Sequence, residues 1–136
     1  MPFKKGERRA DADNVVNFTK VDVSPSFTSC INLPVQEKDA CFREEIHKRI
    51  ATSLQQYNFT TATNLNEEVV IKLLINKKGK FLVEKIIASK TIDSQLPALD
   101  SIIKLTIAKL PTVQPAMKRG VPVTTQYQLP ITIKTP

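Results

Sequence analysis

At 136 residues, with 41% hydrophobic and 24% charged side chains, the chain has the size of one domain and is too apolar for disorder throughout. Its formal charge of +7 is unevenly placed: residues 1–67 carry nine Lys/Arg against nine Asp/Glu, residues 68–136 eleven against four. A basic half steers phosphates, anionic lipid or acidic partners without choosing among them, and a solvated face is a sufficient explanation. No window reaches the roughly 18 apolar residues of a membrane span, because Lys72 interrupts Val69 to Ile75 and Lys85 precedes Ile86 to Ala88.

Residues 1–14 are polar and unpatterned and read as a flexible arm, with a single domain over 15–136. Met1 to Arg9 is followed by Ala10, Asp11, Ala12 and Asp13 instead of an apolar core, so it is no secretory signal, and an exported form would be a trimmed one. From Val15 to Val23, short apolar and β-branched residues predict a first strand, ended by Ser24-Pro25-Ser26. Between Glu37 and Tyr57, the residues Phe42, Ile46, Ile50, Leu54 and Tyr57 recur at helical spacing on one face. Glu37 and Asp39 favour the start of that helix, and Glu44/Lys48 and Glu45/Arg49 pair along its solvent side.

The Thr- and Asn-rich stretch Asn58 to Asn66 predicts a loop, and Glu68 to Asn76 alternates with Val69, Ile71, Leu73 and Ile75 on one face of a strand. Asn76-Lys77-Lys78-Gly79 suits a tight turn into a second strand over Phe81 to Ser89. Leu96, Leu99, Ile103, Ile107 and Leu110 predict a second helix, capped by Ser94 or Asp93, with Pro97 in its first turn and Pro111 ending it. Thr112 to Val121 predicts a loop, and Pro122 to Lys134 a last strand in which Pro130 fits only an edge or a bulge. The fold class is therefore α+β, in the order β-α-β-β-α-β, as an antiparallel sheet with two helices packed on one face.

Little catalytic chemistry is on offer. Cys41 and His47 lie six residues apart, roughly 240° around a helix, so they do not form a nucleophile and base, and His47 reads as a surface histidine. Cys30, Cys41 and His47 lack a fourth metal ligand at normal spacing, and the neighbours Glu44/Glu45 and Glu67/Glu68 diverge. No cofactor, metal or small-molecule substrate is expected, and the chain reads as no enzyme. Cys30 and Cys41 suit a disulfide or two buried thiols, and both readings stay open here. Phe81 beside Lys80 is the one aromatic interleaved with base on a strand, so nucleic acid is not expected. The loop residues Lys77, Lys78, Lys80, Lys118 and Arg119 keep a basic nucleic-acid-binding domain as the alternative.

The run Leu110-Pro111-Thr112-Val113-Gln114-Pro115-Ala116-Met117-Lys118-Arg119-Gly120-Val121-Pro122-Val123, followed by Tyr127-Gln128-Leu129-Pro130-Ile131, resembles the C-terminal signature of the TonB C-terminal domain family in its Bacteroidetes-type members. Val69 to Ile75, the Lys78-Gly79 turn and Ile86-Ile87 are similar to that family's central hairpin, and Phe18, Val21-Asp22, Pro25, Phe27 and Cys30, then Cys41-Phe42, resemble the start of one branch. Coverage runs from Val15 to Lys134. Val113 stands where the family has Trp and Ala116 where it has Gly, and the membrane helix and Pro-rich spacer of a complete transducer are absent.

The resemblance implies a Cys30–Cys41 disulfide and a periplasmic protein-binding domain. Its partner would be an extended segment of an outer-membrane TonB-dependent receptor, added as a strand along Val123, Thr124, Thr125, Gln126, Tyr127, Gln128 and Leu129 in energy-coupled transport. A homodimer is compatible with this reading.

Overall fold

The computed structural model describes residues 15–57 and 65–134. The expected arm over 1–14 and most of the expected loop over 58–66 lie outside the described residues.

Among the described residues, the five strands are β1 (Val15–Asn17), β2 (Asn66–Ile75), β3 (Phe81–Ile87), β4 (Ala116–Lys118) and β5 (Val121–Lys134); the three helices are α1 (Val35–Leu54), α2 (Lys90–Gln95) and α3 (Leu99–Ala108). The sheet runs β1-β5-β2-β3, with β4 paired to the start of β5. The expected α+β class is present, but the sheet is mixed: β1 lies parallel to β5, while the other strand pairs are antiparallel.

Alternation does the work in β2 and β5. Val69, Ile71, Leu73 and Ile75 of β2 and Tyr127, Leu129 and Ile133 of β5 are buried, as are Phe42, Ile46, Ile50 and Leu54 of α1 and Leu99, Ile103 and Ile107 of α3. One cluster holds them all, so the helices cover one face of the sheet. Each fully buried aliphatic or Phe side chain contributes about 1.5–3 kcal/mol. Phe18, Phe27, Phe42, Phe81 and Tyr127 meet within this cluster, with ring centroids as close as 4.8 Å between Phe18 and Tyr127 and 5.3 Å between Phe42 and Tyr127.

Three sequence expectations change, and one irregularity is added. The first strand stops at Asn17 because the Asn17 carboxamide oxygen accepts from Thr19 N at 2.9 Å, turning the chain into a 3-10 turn that sends Phe18 into the core. The second helix is two helices. Ser89, whose hydroxyl accepts from Ile92 N at 3.1 Å, caps α2, and the chain breaks at Leu96-Pro97-Ala98 before α3 begins. The loop over 112–121 contains β4. Arg119 at φ 53° and Gly120 at φ 80° join β4 to β5 through a two-residue turn with both central residues left-handed, the twist that antiparallel strands favour. Finally, β3 carries a bulge: Lys72 opposes Lys85 and Leu73 opposes Val83, leaving Glu84 as the extra residue.

Two clamps hold the periphery. Cys30 and Cys41 form a disulfide, Cα to Cα 6.1 Å, that ties the turn before α1 to the helix. Closing a loop of sequence separation 11 stabilises the fold by about 2.5–3 kcal/mol if the effect is mainly chain entropy. At the β2–β3 turn, Asn76 accepts through its side chain from Lys78 N and Lys80 N, both at 2.9 Å, and Gly79 takes φ 79°. The Gly79 carbonyl accepts from Val113 N at 3.0 Å, so the segment after α3 lies directly on this turn.

Candidate functional site

β5 is the longest strand, and its two flanks differ. On one side β2 pairs with it from Thr125 to Lys134 without a register shift. On the other side β1 occupies only Thr124, Thr125 and Gln126, opposite Val15, Val16 and Asn17. The Thr125 hydroxyl donates to Val16 O at 2.7 Å and fixes that short pairing. Val123 is paired with Ala116 of β4.

Of the seven residues expected to receive a partner strand, Val123–Gln126 are therefore already paired with the chain's own β4 and β1. Tyr127, Gln128 and Leu129 lie where the flank is without a strand among the described residues, and that free flank continues to Lys134. The sequence reading left the whole of Val123–Leu129 open on this flank. It missed that three residues of β1 suffice to close the first part.

Pro130 explains how the free flank is arranged. The β2–β5 register continues through Val70 opposite Pro130, and a proline nitrogen has no hydrogen to give. An unbroken ladder therefore requires that nitrogen to face away from β2. Gln128 and Thr132, in step with Pro130, direct their N–H and C=O to the same free side.

α1 forms the wall beside that side. Arg43, His47 and Ala51 recur at steps of four, which places them in one stripe. The Arg43 guanidinium lies 5.0 Å from the Phe18 ring centroid and 5.6 Å from that of Tyr127, and it is ion-paired with Asp39. Further along, His47, Ala51 and Leu54 face Pro130–Lys134 across an open cavity of about 470 Å³. A smaller cavity of about 230 Å³ lies between Arg43, Phe18 and Gln126–Gln128. Together these make a groove along the free flank.

The groove shifts its titratable groups. Burial, helped by the positive charge of Arg43, pushes the His47 pKa below its ordinary value, so the imidazole favours the neutral form. His47 is partly buried on the wall of the open groove. Burial raises the Tyr127 phenol, Asp39 adds to the rise, and Arg43 opposes it. The Arg43 pKa is raised, first by its hydrogen bond with Asp39.

Other candidate chemistry is dispersed. The sulfur of Cys41 is consumed in the disulfide, so it offers His47 no thiolate. Among the described residues there is no group of three or more His, Cys, Asp or Glu placed to hold a metal, and no helix is long and apolar enough to cross a membrane. Lys77, Lys78 and Lys80 sit on the β2–β3 turn, whereas Lys118 at the β4–β5 turn donates to Lys20 O at 2.7 Å, and Arg119 N donates to the Asp22 carboxylate at 2.7 Å. Compared with known proteins, the chain matches no family model, no curated protein and no solved structure.

Proposed function

We propose that this chain is a periplasmic protein-binding domain of the TonB C-terminal type, taking up an extended segment of an outer-membrane TonB-dependent receptor as a further strand of its sheet. The observation that carries the reading is the flank of β5 from Tyr127 to Lys134, which has a strand on one side only among the described residues. Strand addition draws affinity from main-chain hydrogen bonds and specificity from alternate side chains, and the α1 groove supplies a surface against which those side chains pack. The Cys30–Cys41 disulfide supports an oxidising compartment such as the periplasm. The α+β arrangement supports the resemblance in the C-terminal run from Leu110 to Ile131.

Synthetic receptor segments, titrated by fluorescence anisotropy, test this reading. Gln128→Pro and Thr132→Pro each remove a donor from the free flank and leave the β2 ladder intact, so each should weaken binding about tenfold, the equivalent of roughly one main-chain hydrogen bond. Undiminished affinity in both variants, with β2 and β5 amides still protected from exchange, would overturn it.

A further inference from the structure

The face of the sheet turned away from α1 and α3 departs from the polar pattern expected of a solvated antiparallel face. Cross-strand registers arrange its residues in rows. Leu74 lies between Gln126 and Leu82, Lys72 between Gln128 and Lys85, and Val70 between Pro130 and Ile87. Leu82 is 50% exposed and Ile87 43%. A basic row thus stands between two aliphatic rows.

The middle row brings two like charges together. Lys72 and Lys85 are direct cross-strand partners, and like charges in that position repel. Neither is joined to a carboxylate by an ion pair among the described residues. Of the acids nearby, Glu84 accepts from Gln126 Nε2 at 2.7 Å, and Glu68 lies one row beyond Val70, opposite Thr132. A carboxylate seated between the two lysines would turn their repulsion into paired charge-assisted hydrogen bonds.

We propose that this outer face docks an amphipathic helix of another protein whose contact stripe reads aliphatic, acidic, aliphatic. Successive rows on a strand are about 6.6–6.8 Å apart, and residues i and i+4 of a helix rise about 6 Å. A helix lying along β2 therefore sets its acidic residue over Lys72 and Lys85 while its aliphatic neighbours meet Leu74/Leu82 on one side and Val70/Ile87 on the other. Charge complementarity selects an acidic stripe, and the row spacing is close to the i,i+4 rise of a helix. This surface is the opposite side of the sheet from the α1 groove, so one partner on each is sterically compatible.

The test is a magnetic resonance titration of the isotope-labelled full chain with three probes. They are a ~20-residue helical peptide carrying Leu, Glu and Leu at i, i+4 and i+8, its twin with Lys in place of Glu, and phosphatidylglycerol vesicles. The acidic peptide should shift the amides of Val70–Leu74 and Leu82–Ile87. The double variant Lys72→Glu/Lys85→Glu should lose about tenfold or more in affinity for it and gain affinity for the lysine twin. Exposed Leu82→Ser, which leaves the lysines in place, should weaken the acidic peptide about fivefold. If the double variant does not fold, Lys85→Glu alone, which pairs the new carboxylate with Lys72, should still weaken the acidic peptide. Equal binding of the two peptides, binding of vesicles without binding of the acidic peptide, or no shift with any probe would overturn the proposal.

Discussion

Two of the sheet's unpaired borders among the described residues, the outer side of β3 and the free flank of β5, are built differently. The outer border of β3 is short, carries the Glu84 bulge and presents Lys85, devices that discourage another chain from pairing. The free flank of β5 is regular from Tyr127 to Lys134, is interrupted only by the missing donor of Pro130, and has α1 as a wall. The same hydrogen-bonding groups are protected on one side and left approachable on the other. That asymmetry is the physical basis of the proposal that a partner strand adds to β5.

The largest way to break the comparison is at the turn holding β3. A Cβ added at Gly79 would stand 1.7 Å from the Val113 carbonyl oxygen, on backbone at φ +79°. Gly79→Ala should therefore cost about 3 kcal/mol or more and detach the segment after α3, seen as a large fall in thermal midpoint. A midpoint close to that of the unsubstituted chain would show that the turn does not clamp β3.

Thr125→Val acts on the other border. It keeps the buried shape of a residue that is 0% exposed and removes the hydroxyl that donates to Val16 O. A loss of about 1 kcal/mol is expected, with faster hydrogen exchange at Val15–Asn17 and unchanged protection in β2. Because β1 would then leave Thr124–Gln126 more readily, the flank open to a partner should lengthen. Unchanged exchange in β1 would mean that the backbone alone holds it.

The smallest effect sharpens the role of the groove wall. The folded-state pKa of His47 is lowered, so the unfolded chain binds its proton more readily. The stabilisation linked to neutral His47 is fully present above the ordinary value of 6.5 and is lost as pH falls from there through the lower folded value. Denaturant titrations across that window should show stability declining towards acid, and His47→Gln should flatten that part of the slope. An identical slope in the variant would assign it to other groups.

Much of the framework was legible because periodicity and burial agree. The four-residue spacing from Phe42 to Leu54 marked α1, and the alternation from Val69 to Ile75 marked β2. The rest turned on interactions that spacing does not encode. Ala116–Lys118 is too short and too close to Pro115 and Pro122 to announce a strand, yet pairing with Val121–Val123 makes it one. The apolar series from Leu96 to Leu110 continues across Pro97 because both helices face one core, although the backbone breaks there. The candidate edge was readable from Pro130 within an alternating run. Its starting point was not, since it depends on where Asn17 and Phe18 turn β1 away. The groove was equally hidden, because the stripe of Arg43, His47 and Ala51 gains meaning only once α1 lies beside β5.

The parallel seating of β1 against β5 also has a mechanical consequence. A tow applied backwards at Val15, against a load hung on the far end of β5, pulls the two strands along their common axis. Their three residue pairs are then sheared together instead of being unzipped one at a time, so tension passes between the strands without first prying open the packed interior.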